Sequence, residues 1–263
     1  ACLVGSEMCI RDRLDVEEYH DGNYGGKGKT RQKKEKPTKE QVRLINRRNK
    51  ARLCRWRLIQ YFDQGDLFIT WTYATENRPP DMEGALKDFQ KAMAKVRKIY
   101  RLRGAPIYWI RNIERGTKGA WHIHLAIKQT PEGDAAAIVT KAWTKGGTYV
   151  AEIRHSKFTG DDMEQLADYL TKDKHTAEIK ADGTPGKPRI AESSYNTSRN
   201  MPLPEPRTDK LLRWKSEVKP PKGYYIARMH EGINPVTGFL YRSYTLIRLK
   251  CTERKRPPGR RRC

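Results

Sequence analysis

The feature that most limits the fold of this chain is a pair of strand-like segments, 107–114 and 120–127, joined by the short turn RGTKG. Both segments are rich in β-branched and aromatic residues, and a connection of this length containing Gly is typical of a β-hairpin. Side chains alternate between the faces of a strand, so His122 and His124 share one face while the apolar residues around them face a core. The sequence therefore predicts a hairpin with two imidazoles on one side of a sheet.

Strand and helix patterns alternate on either side of this hairpin. LFITWTY (67–73) and TYVAEIR (148–154) read as strands, and helices are predicted over 82–100, 131–143 and 161–174. The order is β-α-β-β-α-β-α, with the hairpin at its centre. We therefore predict an α+β fold, a palm-like central antiparallel sheet with helices mainly on one face.

A basic helix is predicted ahead of this core, beginning at Thr38, where Gln41 completes a capping box. The chain has a net charge of +23, which favours polyanionic partners such as nucleic acid. We expect the basic residues of this helix and of the hairpin turn to contact phosphates: Arg43, Arg47, Arg48, Arg52, Arg55 and Lys118. The alternative is that they form a solvated charged face.

The composition along the chain predicts four regions. Residues 1–37 read as a disordered leader, and 1–13 (ACLVGSEMCIRDR) resemble translated sequencing-adapter read-through rather than native protein. Residues 38–178 form the core with its preceding helix. Residues 179–249, which contain a late hairpin pattern, are expected to be an extension packing on the core, and 250–263 are a basic tail.

Two classes of protein are disfavoured by composition. No apolar run approaches the roughly 20 residues that span a membrane, so a membrane protein is not expected. The five cysteines are scattered without a CxxC pair, which argues against a disulfide framework and structural zinc. We expect a cytoplasmic protein.

The hairpin also carries candidate metal ligands. Glu114 lies near the turn, where it can join His122 and His124 across the two strands. Two imidazoles and one carboxylate with open positions suit a divalent ion such as Mg²⁺ or Mn²⁺. The alternative is that the histidines fill a half-buried sheet face and Glu114 is a solvated turn residue.

The predicted helix over 161–174 supplies a candidate nucleophile. Tyr169 lies at the edge of the apolar stripe of this helix, with Lys172 next to it on the same face. A tyrosine, a metal and positive charge together favour transesterification of a phosphodiester, in which the phenol attacks phosphorus. Lys172 would favour the phenolate or steady the phosphate; the alternative is an ordinary solvated lysine.

These motifs occur together in a known superfamily. WHIHL, after a strand ending in Glu114, resembles the His-hydrophobic-His motif of HUH endonucleases; TWTY resembles their first strand motif, and YLTK (169–172) their YxxK motif. With SYNTSRN and EGINPVTGFLYRSYTLIRL, residues 38–249 are similar in particular to rolling-circle replication initiators (Rep, or replication-associated, proteins) of bacterial plasmids and phages.

The resemblance implies an enzyme that uses Mg²⁺ or Mn²⁺ to nick and rejoin single-stranded or hairpin origin DNA. It implies a covalent 5′-phosphotyrosine on Tyr169, and a free 3′-OH that primes synthesis by host polymerase and helicase in a bacterial cytoplasm. A solitary YxxK tyrosine leaves room for a homodimer. The alternatives are a single-tyrosine transposase or relaxase of a mobile element, or a non-enzymatic nucleic-acid-binding module.

Overall fold

The chain is described from a computed structural model that covers residues 3–10, 12–20, 38–116, 119–153, 163–172, 195–211, 214–233 and 239–249. The elements in these ranges, in chain order, are β1 (Leu3–Ile10), β2 (Arg13–His20), α1 (Lys39–Tyr61), β3 (Leu67–Thr72), α2 (Met82–Leu102), β4 (Trp109–Arg115), β5 (Trp121–Ile127), α3 (Ala135–Ala142), β6 (Thr148–Glu152), α4 (Glu164–Thr171), β7 (Tyr195–Thr197), β8 (Arg207–Leu211), β9 (Tyr224–Ile233) and β10 (Leu240–Arg248). The chain divides into two units: Thr38–Leu203, and Ala1–Pro37 together with Pro204–Cys263.

The larger unit, Thr38–Leu203, is built on a five-stranded sheet with the order β6-β3-β5-β4-β7. Every pairing in it is antiparallel. The predicted hairpin is β4 and β5, and its turn is closed by a hydrogen bond from Gly116 N to Ala120 O (2.8 Å), with Gly119 in the left-handed region at φ 79°. The α+β class with a central antiparallel sheet is therefore confirmed.

One face of this sheet carries the main core. Trp121, Ile123, Leu125 and Ile127 of β5 are all buried, as the alternation predicted. The apolar stripe of α2 packs against them through residues such as Phe89. Asp81 begins α2 as predicted, since its Oδ1 accepts a hydrogen bond from Gly84 N at 2.7 Å.

The helices are divided between the two faces of the sheet. α2 and α3 contribute to the core just described, whereas α4 lies on the opposite face and packs against α1. The predicted capping box of α1 is present, with Thr38 and Gln41 bonded to each other's backbone. Only the second half of α1 contributes buried residues, so its first half is exposed along most of its length.

Two predicted helices are shorter in the structure. α3 begins at Ala135 rather than 131, and α4 spans Glu164–Thr171 rather than 161–174. The residue before α4 is Met163, whose backbone is left-handed (φ 61°, ψ 16°) and whose side chain does not cap the helix. The expected cap residue Asp161 lies outside the described residues.

The smaller unit contains a second antiparallel sheet with the order β8-β1-β2-β10-β9. β9 and β10 are the late hairpin predicted from the sequence. Arg242 of β10 is buried, donates to Glu18 of β2 at 2.7 Å and lies over the ring of Trp214 with its Cζ 4.5 Å from the centroid. This ion pair ties the first strands of the chain to one of its last.

The expected domain boundaries differ from those observed. Residues 3–20 of the predicted disordered leader form β1 and β2, because RLDVEEYH (13–20) places Val16 in a buried position opposite Tyr244. The part interpreted as read-through supplies β1. The predicted extension over 179–249 is split: β7 joins the larger sheet, and residues from Pro204 onward join the second. Residues 21–37 and 250–263 lie outside the described ranges.

The described parts of the chain contain no helix with the length and apolar character needed to cross a bilayer.

Candidate active site

Three neighbouring strands present polar side chains on the sheet face opposite the α2 core. His124 of β5 pairs with Thr70 of β3 on one side and with Asn112 of β4 on the other. His122 pairs with Glu114 in the next row of the same face. Because facing residues of antiparallel strands project to the same side, the predicted His122, His124 and Glu114 do share one face.

His124 is held at both ring nitrogens. Its Nε2 lies 2.7 Å from Oε1 of Glu114, and its Nδ1 lies 3.0 Å from the hydroxyl of Thr70. A carboxylate can only accept, so Nε2 carries the proton donated to Glu114, and Nδ1 accepts from the Thr70 hydroxyl. The two contacts fix both the tautomer and the orientation of the ring.

Glu114 is also the partner of the predicted lysine. Nζ of Lys172 lies 2.8 Å from Oε2 of Glu114. Burial alone would raise the pKa of Glu114, but hydrogen bonds and positive charge from His124 and Lys172 outweigh it and lower the pKa to about 2. The carboxylate is therefore ionised throughout the physiological range.

α4 places Tyr169 over this cluster. Leu166, Ala167 and Leu170 are buried, as predicted, and Tyr169 at the edge of that stripe is 37% exposed. Its hydroxyl lies 3.1 Å from Nε2 of His124. Its ring makes an edge-on contact with His124, the centroids being 5.0 Å apart. The structure thus brings Tyr169, Lys172, His124 and Glu114 together.

The electrostatics of Tyr169 differ from the expected activation by Lys172. Burial, and then the negative charge and hydrogen bonding of Glu114, raise the pKa of Tyr169 to about 12. Nζ of Lys172 lies 3.9 Å from the centroid of the Tyr169 ring, yet the lysine is ion-paired to Glu114. In this arrangement the phenol is protonated, and Lys172 balances Glu114 rather than a phenolate.

Three residues that the sequence analysis did not single out support the site. Thr70 orients His124, as described above. Nδ2 of Asn112, which is buried, donates to the backbone oxygen of Lys172 at 3.4 Å and so ties the end of α4 to β4. The Phe68 ring stacks with His124 (centroids 5.9 Å apart) and meets Tyr169 edge-on (5.7 Å). Their even spacing with Thr72 in the TWTY strand segment was the available signal for Phe68 and Thr70.

His122 stands apart from the other two predicted ligands. Its ring lies against Gly116, where a Cβ would come within 2.8 Å of the imidazole Cε1, so only a glycine fits there. Burial and then the charge of His124 lower the pKa of His122, which leaves its imidazole neutral at pH 7 and able to offer a lone pair.

The donor set was tested against a divalent ion. Within the described residues, no three His, Cys, Asp or Glu side chains are grouped closely enough to hold a metal. Two of the three predicted donors, Glu114 Oε1 and His124 Nε2, are adjacent at 2.7 Å, and His122 is on the same face. The donor chemistry fits Mg²⁺ or Mn²⁺, provided that the His122 ring turns toward the pair.

The predicted phosphate-binding residues lie on α1 rather than on this face. Arg43, Arg47 and Arg48 are exposed on its first half. The guanidinium of Arg52 lies over Trp56, with Cζ 5.1 Å from the ring centroid. Arg55 is only 7% exposed, so it does not share the basic surface, because the second half of α1 is the packed half. Lys118 lies outside the described residues.

Comparison with known proteins points to DNA replication. Residues 66–174 match a family model of replication-associated proteins, the ORF2 family. No curated protein and no solved structure matches the chain. The matched span begins just before β3, ends just after α4 and contains Thr70, Glu114, both histidines, Tyr169 and Lys172. Over this span the chain is similar to replication-associated proteins, which supports a Rep-like protein with a replication-initiator role.

Proposed function

We propose that this chain is a rolling-circle replication initiator that nicks and rejoins single-stranded or hairpin origin DNA through a covalent bond to Tyr169. The observation that carries the proposal is the position of the Tyr169 hydroxyl, 3.1 Å from His124 Nε2 and beside the Glu114–Lys172 ion pair. The match to a replication-associated family over the same residues supports it.

The proposed reaction is a transesterification. The phenol oxygen of Tyr169 forms a bond to phosphorus, the bond from phosphorus to the 3′ oxygen breaks, and the phenol proton is lost while the 3′ oxygen leaves as a hydroxyl. The 5′ end stays on Tyr169, and the free 3′-OH primes synthesis by a host polymerase behind a host helicase. Attack by a 3′-OH on the phosphotyrosine reverses the step and rejoins the strand.

Each residue around the phenol has a part in this step. His124, locked by Thr70 and Glu114, fixes the position of the hydroxyl. Glu114 keeps the phenol protonated before substrate binds, since its charge and hydrogen bonding contribute to the raised pKa of Tyr169. Lys172 is the cation beside the phenol, where the phosphate has to lie, and it offsets the charge that develops on the phosphate oxygens.

Glu114, His122 and His124 are the residues that would hold a Mg²⁺ or Mn²⁺ ion. When bound, such an ion polarises a non-bridging phosphate oxygen and offsets negative charge. Calorimetric titration with Mn²⁺ tests this ligand set, with Thr72→Val as the control on the same face. His124→Ala should abolish binding and His122→Ala should weaken it at least 10-fold. Unchanged Mn²⁺ affinity in His122→Ala would remove His122 from the set.

The exposed first half of α1 supplies a second element of the proposal. Arg43, Arg47 and Arg48 are placed to bind DNA phosphates without reading sequence. Such binding should weaken steeply with salt, and each lost contact should reduce the slope of log affinity against log salt by about 1.

Incubation with single-stranded DNA and Mn²⁺, followed by denaturing electrophoresis, tests the proposal. We expect a shifted band that resists SDS, forms with wild type and is absent with Tyr169→Phe, which keeps the ring but lacks the nucleophile. Salt-sensitive binding without any adduct would replace the enzyme by a nucleic-acid-binding module. Adduct formation together with element excision, but without support of plasmid replication, would identify a transposase.

A further inference from the structure

A cross-strand row of side chains runs through the candidate active site to an edge of the sheet. Tyr149 of β6 pairs with Thr70, Thr70 with His124, His124 with Asn112, and Asn112 with Tyr195 of β7. Directly facing residues project to the same side of a sheet, so all five side chains lie on the face that carries Tyr169. His124 is at the centre of the row, and a tyrosine stands at each end.

The two ends of this row differ in their surroundings. At the β7 end, Tyr195 is hydrogen-bonded to Cys54 of α1, and Nζ of Lys50 lies 5.5 Å from the centroid of its ring. At the β6 end, Tyr149 is 68% exposed. Among the described elements, α4 and α1 occupy the β4–β7 half of the face, and none of the four helices packs over Tyr149 on this face.

The open end sets the direction from which a substrate can approach. The Tyr169 hydroxyl is held over His124 by a helix anchored to β4 through Asn112, so the β4 side is closed to a nucleic-acid strand. The remaining approach crosses β3 and β6. Tyr149 lies on that approach, about 10 Å from His124 along the row, which is two strand spacings.

We propose that Tyr149 is a stacking site for a base of single-stranded DNA next to the phosphodiester that Tyr169 attacks. This inference rests on the proposed function. An exposed aromatic face accepts any base by stacking, so Tyr149 positions the strand without specifying its sequence. The phosphate then lies near Lys172, and the neighbouring base is held on the open β6 edge.

Photo-cross-linking tests the contact directly. A 30-nucleotide oligo-dT with 5-iodouracil substitutions is irradiated with Tyr169→Phe protein, which binds but cannot form the phosphotyrosine, and the cross-linked peptides are identified by mass spectrometry. We expect a cross-link at Tyr149, lost in Tyr149→Ala and present at the corresponding peptide in Tyr149→Phe. Cross-links confined to other peptides would overturn the proposal.

Affinity provides a second readout that a merely structural role would not produce. Loss of one stacked base should weaken oligo-dT binding about 5- to 150-fold in Tyr149→Ala, and Tyr149→Phe should bind as wild type does. Tyr225→Ala, which removes an exposed tyrosine from β9, is the matched control and should leave affinity unchanged. Equal affinity of Tyr149→Ala and wild type would also overturn the proposal.

The two proposals fail separately. Failure of wild type to form an SDS-resistant adduct with DNA would contradict the nicking function, and it is measured without any Tyr149 variant. An intact adduct, with Tyr149→Ala unaffected in both cross-linking and affinity, would contradict the stacking site alone.

Discussion

The hydroxyl of Tyr169 lies 3.1 Å from Nε2 of His124, joining residues 45 positions apart in the chain. The contact depends on two independent anchors. Thr70 fixes the ring of His124 from β3, and Asn112 fixes the end of α4 from β4. The phenol is therefore positioned by the sheet as much as by its own helix, and substitutions that disturb either anchor should reach the chemistry.

Thr70→Val should lower the rate of adduct formation about 10- to 100-fold, because the His124 ring loses the hydroxyl that bonds Nδ1 and fixes its tautomer. The rate is measured by gel quantification of the SDS-resistant species over time. Thr72→Val is the matched control, since that hydroxyl donates to the Gly147 carbonyl at 3.3 Å instead. Equal rates for the two variants would show that Thr70 does not orient His124.

Glu114→Gln should lower stability in a pH-dependent manner. The pKa of Glu114 falls from its ordinary 4.5 to about 2 in the folded chain, so its ionised form stabilises the fold above about pH 4.5, and this stabilisation is lost as the pH falls through about 2. The difference corresponds to at most about 3 kcal/mol. Urea unfolding at pH 7, 4 and 2.5 should show the gap between wild type and variant closing.

The control for that experiment is Glu83→Gln, which removes an exposed carboxylate paired with Lys87 one turn away on α2. Because solvent screens this surface pair, the variant should unfold at nearly the same urea concentration as wild type at each pH. A stability gap for Glu114→Gln that is the same at all three pH values would contradict the assigned ionisation of Glu114.

Cys54 should resist alkylation in the folded chain. Burial raises the pKa of its thiol to about 12, so below that pH it is overwhelmingly the unreactive thiol, and the fold also shields it. Labelling with iodoacetamide at pH 8, read peptide by peptide in a mass spectrometer, should modify the exposed Cys9 and spare Cys54 until urea is added. Equal native labelling of both would contradict the packing of α1.

The two faces of β5 should respond differently to substitution. Ile123→Ala removes a fully buried side chain of the core and should lower the free energy of unfolding by about 2–5 kcal/mol. His122→Ala, one residue away on the opposite face, should change it by less than about 1 kcal/mol. Thermal and urea unfolding measure both, and similar losses would mean that His122 belongs to a core.

Local patterns were sufficient for much of the larger unit. The alternation in WHIHL correctly separated the buried residues of β5 from His122 and His124, and the Thr38 capping box marked the start of α1. These features depend on neighbours within a few residues in the chain. The edge position of Tyr169 on α4 was predictable for the same reason.

Features that depend on distant partners were not predictable from such patterns. β2 lies in a sheet because Glu18 and Val16 meet residues of β10 more than 200 positions later. Arg55 read as part of a basic surface, but packing of the second half of α1 buries it. The role of Asn112 appears only once the register places it beneath the end of α4.

The central claim is that Tyr169 is the residue that becomes joined to DNA. The most direct measurement is to trap the protein–DNA adduct, digest it with nuclease and trypsin, and locate the remaining nucleotide by tandem mass spectrometry. The account predicts a phosphodiester-linked nucleotide on Tyr169, attached through its 5′ phosphate. A nucleotide on any other residue, or a 3′ linkage, would contradict it.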